Sequence, residues 1–131
     1  MRAVFLDFRS VTRGDMDCAA LERGISPWQY YHDSSEQAVL GRIHEAEVIV
    51  SNKVFISRAA IETANHLKLI CVAATGYNNV DLQAAAERNI PVCNVRGYAT
   101  LSVVQHVFML ILNMARHFVD YQELVKRGGW Q

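Results

Sequence analysis

The 131-residue sequence contains no block of like charge and no basic stripe; 13 basic residues balance 13 acidic ones. Nothing in it marks a nucleic-acid or anionic-membrane surface, which leaves a small molecule or another protein as the expected partner. There is no Walker loop, no GxSxG elbow and no GxGxxG, so none of the usual signatures of phosphate cradling, serine hydrolysis or dinucleotide binding is carried. His32, His44, His66, His106 and His117 show no HxxH or HExxH spacing, so no zinc site is expected. Cys18, Cys71 and Cys93 form no CxxC pair, and the expectation is buried free thiols in a reducing cytoplasm without metal. The N-terminus has only Arg2 ahead of a short apolar run that Asp7 interrupts, with no small-residue cleavage site, so no signal peptide is expected.

What is present is apolar and periodic. Apolar residues make up 51% of the chain, enough for the core of one compact domain. "RAVFLDF" (2 to 8), "WQYYHD" (28 to 33), "EVIVSN" (47 to 52), "KLICVAA" (68 to 74) and "IPVCNV" (90 to 95) read as strands. Between them lie a weak helical turn near "MDCAALE", a helix opened by Ser34 with Gln37 and running to about Ile43, a helix capped by Ser57, and one from about Asp81 to Asn89. Strands alternating with short helices predict an α/β fold: a flavodoxin-like, parallel five-stranded sheet with flanking helices.

The last third breaks that rhythm. "LSVVQHVFMLILNMARHF" (101 to 118) is apolar on nearly every face and broken only by Gln105, His106, Asn113 and Arg116. It is short and polar for a membrane span, which needs ~20 apolar residues, so a helix buried on several sides is expected. A domain with a finished sheet has little room for such a helix, so part of its surface should meet a second domain or a second copy. "VDYQELVKRGGW" continues as an amphipathic helix stopped by Gly128 and Gly129. His106 reads as a packing or interface residue or as a catalytic one, with the former favoured.

In open α/β sheets, ligands bind beyond the carboxyl ends of the strands, which singles out the loops at 8 to 15, 52 to 56, 74 to 80 and 96 to 100. In "AATGYNNVDL" (73 to 82), Gly76 permits close backbone approach and no carboxylate precedes Asp81. Two accounts fit it: a nest of amides for a carboxylate or phosphate, or a plain turn in which Asp81 caps a helix and Asn78 and Asn79 turn the chain. Lys53 is either a point charge at that rim or a solvated lysine, and Asn52 anchors the loop or a ligand. Tyr98 and Thr100 offer hydroxyls to a ligand or to a helix start.

The runs "AEVIVSNKV", "LKLICVAATGYNNVDLQAAAERNIPVCNVRGYAT", "SVVQHVFMLIL" and "GGW" resemble, in order and over nearly the whole chain, the N-terminal part of the D-2-hydroxyacid dehydrogenases, in particular the glycerate dehydrogenase (hydroxypyruvate reductase) branch. The resemblance implies an enzyme with NAD or NADP in a Rossmann domain and a small 2-oxo or 2-hydroxy acid in the cleft. It implies that the loop matching Ala74, Thr75 and Gly76 binds the substrate carboxylate, that Asn52 and Lys53 close one wall, that Tyr98 contacts substrate, and that Thr100 nears the cofactor. It divides the chain into a substrate-binding part, 1–99, and interdomain and dimerisation helices, 100–131, with homodimerisation through 101–118.

The departures matter as much. The family's glycine-rich dinucleotide loop, catalytic arginine, acidic partner and acid-base histidine all match positions beyond Gln131, so no catalytic residue is expected in this sequence. The expectation is the substrate-binding portion of a cytoplasmic dehydrogenase, inactive alone and without bound NAD. The alternative is a free-standing dimerisation or regulatory module derived from the same fold. A response-regulator receiver domain is excluded: strand one offers Asp7 alone, strand three ends in Ser51 and Asn52, and strand five ends in Asn94 and Val95.

Overall fold

The computed structural model describes residues 1–129. The chain divides into two compact units, Met1–Arg96 and Gly97–Gln131. The first is built from β1 (Ala3–Phe5), α1 (Ala19–Gly24), β2 (Trp28–Tyr30), α2 (Glu36–Ile43), β3 (Val48–Ser51), α3 (Arg58–Thr63), β4 (Leu69–Val72), α4 (Leu82–Glu87) and β5 (Val92–Asn94). All strand pairs are parallel, in the order β2-β1-β3-β4-β5. This is the five-stranded α/β sheet expected from the sequence, with strands shorter than the apolar runs that announce them.

Register explains the core. Val4, Ile49, Ile70 and Val92 lie side by side across β1, β3, β4 and β5. With Leu6 and Val72 they pack against Val39 and Ile43 of α2, Ala60 and Ile61 of α3, and Ala84 and Ala85 of α4. Three helices thus cover one face, and the small alanines let α3 and α4 approach the sheet closely. The other face meets α1, where the Trp28 indole N–H donates to the Leu21 carbonyl at 3.3 Å and the Tyr30 hydroxyl to Glu22 at 3.2 Å.

Helix ends follow local chemistry. Ser57 Oγ accepts from the Ala60 amide at 3.3 Å and Asp81 Oδ1 from the Ala84 amide at 2.8 Å, as N-cap residues do. Asn89 takes the left-handed conformation after α4, at φ 56°. The helix expected from Ser34 is instead capped by Ser35, whose Oγ accepts from Ala38 at 3.3 Å. Ser34 Oγ is committed elsewhere: it donates to the Leu6 carbonyl and accepts from Arg42.

The expectation of buried thiols is corrected. Cys93 is exposed and Cys71 half-buried, because they neighbour each other on the part of the sheet that α1 leaves uncovered. Burial, and secondarily Cys93, raises the Cys71 pKa, keeping that thiol protonated. In the second unit, the apolar run forms α5 (Thr100–Arg116) and stops at His117, which turns left-handed at φ 49°; α6 (Phe118–Lys126) follows. No residue of α5 is buried, with Leu101 70% and Met114 75% exposed. The Trp130 of "GGW" lies outside the described residues. No described helix is long and apolar enough to cross a membrane.

Candidate functional site

The winding of the sheet reverses between β1 and β3, since β2 lies on one side of β1 and β3, β4 and β5 on the other. A crevice opens beyond the carboxyl ends of the strands at such a switch point. The residue found there is Asp7, only 3% exposed. Its carboxylate accepts from the Asn52 amide at 2.9 and 3.2 Å, from Lys53 at 2.6 Å and from Val54 at 3.3 Å. Three successive backbone N–H groups after β3 therefore converge on one internal anion, an amide nest with its occupant built in.

This commits much of the loop that holds Asn52 and Lys53. The Asn52 side-chain amide donates to Ser10 Oγ at 3.0 Å, tying the loop to the turn after β1. Ser51 Oγ, fully buried, donates to the Val54 carbonyl at 2.9 Å. The Lys53 side chain is exposed.

The loop after β4 is fixed from both sides. Asn79 donates its side-chain amide to the Val54 carbonyl at 3.1 Å, and its own carbonyl accepts from the Ile56 amide at 2.8 Å, so it joins the two loops. Toward β5, Thr75 Oγ1 donates to the Val95 carbonyl at 3.0 Å, Asn94 Nδ2 to the Thr75 carbonyl at 2.7 Å, and the Val95 amide to the Ala74 carbonyl at 3.1 Å. Ala74 is buried at the base while Thr75, Gly76 and Tyr77 are exposed. Among the described residues, none accepts a hydrogen bond from the amides of Thr75, Gly76 or Tyr77. A braced loop with undonated, exposed N–H groups can receive an anion without first paying to order itself.

Gly76 does not adopt positive φ, and a Cβ placed on it would meet only Asn78 Oδ1, at 3.2 Å. The fold does not require a glycine here; the open backbone is what the missing side chain provides. Tyr98, 65% exposed, and Thr100, the first residue of α5, belong to the second unit. The α5 N-cap is Ala99, so neither hydroxyl caps the helix.

Three residues of the site do not stand out in the sequence. There Asp7 is a lone acid, Asn79 a turn former and Asn94 a strand end. An acid immediately beyond the first strand of a doubly wound sheet is the one signal that could have flagged Asp7. Asn79 and Asn94 act through partners far along the chain, 25 and 19 residues away.

The strand-to-helix turns carry at most one glycine each: Gly14, Gly76 and Gly97. None is built to let a dinucleotide pyrophosphate approach the backbone closely, so these residues do not fit an NAD cradle.

The sheet order and helix placement define an α/β domain of the flavodoxin-like kind. Residues 6–123 match the model of the D-isomer specific 2-hydroxyacid dehydrogenase catalytic domain. The chain belongs to that family. It is 33% identical to hydroxypyruvate reductase from Blautia hydrogenotrophica, over 100% of this chain and 41% of that protein. It is 33% identical to glycerate dehydrogenase from Methylorubrum extorquens, over 88% of this chain and 39% of that one. The structure of NAD-dependent formate dehydrogenase from Staphylococcus aureus in complex with NAD superposes with a TM-score of 0.72 at 28% identity, covering 100% of this chain and 43% of that one. The chain thus spans about two fifths of the length of these relatives.

Proposed function

We propose that this chain is the substrate-side part of an NAD- or NADP-dependent D-2-hydroxyacid dehydrogenase that reduces hydroxypyruvate or glyoxylate in the cytoplasm. Its task is to hold the carboxylate of the 2-oxo acid. The observation that carries this is the contrast between the loops beyond β3 and β4: the amides of residues 52–54 are filled by Asp7, while the exposed amides of Thr75, Gly76 and Tyr77 have no acceptor among the described residues. Hydrogen bonds to a charged acceptor contribute about 1.5–3 kcal/mol each when well made, so two or three are enough to orient a small acid.

In this reading residues 1–99 are the substrate-binding part, with Ala74 setting the base of the loop and Asn52 and Lys53 forming a neighbouring wall. Residues 100–131 lead towards a cofactor domain, and 101–118 serve homodimerisation, which suits the exposed apolar residues of α5. For Tyr98 as a substrate contact and Thr100 as a cofactor neighbour, the support is the family match. Hydride passes between a nicotinamide and C2 of the acid in such an enzyme; the residues here bind and orient, and by themselves transfer nothing. Calorimetric titration tests this: hydroxypyruvate should bind, and dihydroxyacetone, which lacks the carboxylate, should not. Equal binding of both would refute carboxylate recognition.

A further inference from the structure

Two adjacent loops at the carboxyl edge of the sheet each present consecutive backbone N–H groups, and chemistry alone does not distinguish them as carboxylate sites. We infer that Asp7 is a specificity-determining residue: its carboxylate is a resident anion that occupies the nest of residues 52–54, so that a substrate carboxylate has only the amides of 75–77 to bind. The inference rests on the proposed role of the 75–77 loop and adds to it the reason for a single binding orientation.

The geometry supports occupation rather than incidental contact. Both carboxylate oxygens are used, three successive amides converge on them, and the side chain is almost fully buried. Asp7 also occupies the N-cap position of the turn at Phe8–Ser10 yet gives that turn no side-chain hydrogen bond. Its carboxylate is spent across 45 to 47 residues of sequence instead. A second carboxylate brought to residues 52–54 would meet both a filled nest and a like charge. The Asn79 bridge from Val54 to the next loop fixes the two nests relative to each other, so closing one leaves the other correctly presented.

The experiment removes the resident anion and offers another. In Asp7→Ala, acetate should raise the melting temperature well beyond its effect on the wild type, because an anion that binds only the folded chain stabilises it. If the variant is unfolded without acetate, acetate should refold it, read by circular dichroism. Where the variant is folded, oxalate should move the amides of residues 52–54 saturably, with affinity there raised on the order of tenfold or more over the wild type. Asp7→Asn, which keeps the nest filled with a neutral oxygen, should gain neither response. A variant no more responsive to acetate than the wild type, or a wild type whose 52–54 amides titrate with oxalate as strongly as the variant's, would overturn the inference. If Asp7→Ala gains the 52–54 site while 75–77 stay silent in every form, Asp7 is still the anion that fills the 52–54 nest, but the proposed function, and with it the specificity role of Asp7, falls.

Discussion

The Lys53 amide donates to Asp7 Oδ2 at 2.6 Å, joining residues 46 apart in sequence where the sheet changes its direction of winding. Truncation to alanine leaves three amides facing a gap. Asp7→Ala should therefore lower stability by about 3 kcal/mol, with Asp7→Asn costing less, as read by urea unfolding in the absence of carboxylate buffers. Equal, small losses in both would mean the nest does not hold the loop.

Gly76 separates binding from folding. Its added Cβ would press only on Asn78 Oδ1, the end of an exposed side chain. Gly76→Ala should stay within about 0.5 kcal/mol of wild-type stability. Its affinity for hydroxypyruvate should fall about tenfold, since the methyl group stands where the carboxylate must approach. A large fall in stability would assign the glycine to the fold instead.

Asn79 couples the two loops through the Val54 carbonyl at 3.1 Å and lies near Ser51 Oγ at 3.5 Å. Asn79→Ala should cost about 1–2 kcal/mol. Amide hydrogen exchange should speed up in both 52–56 and 74–80. Faster exchange in only one loop would show that they are held separately.

The opposite edge of the sheet carries one acid-sensitive contact. Glu47 accepts from Lys68 Nζ at 2.6 Å and from the Arg2 amide at 2.9 Å, with Lys68 the larger cause of a pKa lowered from 4.5 to about 2. A pKa depressed on folding stabilises the fold above the unfolded value and loses that contribution as pH falls from about 4.5 through about 2. The Glu47 carboxyl should titrate near 2 by carbon-13 NMR and move upward in Lys68→Ala. A wild-type midpoint at the ordinary value would contradict the ion pair.

What could be read from sequence was local. Ser57, Asp81 and Asn89 announce helix ends because their chemistry acts within a turn, and the alternation of apolar runs with capped helices is enough for the parallel sheet. Ser35 displaced Ser34 because a contact with Leu6, 28 residues away, claimed the first hydroxyl. Cys93 is exposed because burial of an edge strand depends on which face the helices cover, which no single strand encodes. The candidate loop at 74–80 was visible through its glycine and the helix start behind it. The resident carboxylate was not, since Asp7 and Lys53 become neighbours only when β1 and β3 pair.

With the 52–54 amides filled and the 75–77 amides open, the two loops should respond differently to a small carboxylate. Nitrogen-15 correlated NMR of the wild-type chain during glyoxylate titration tests this most directly. The amides of Thr75, Gly76 and Tyr77 should shift most and saturate together, while those of Asn52, Lys53 and Val54 move much less. Larger saturable shifts at 52–54 than at 75–77, or shifts at other residues with 75–77 unmoved, would show that the carboxylate is held elsewhere.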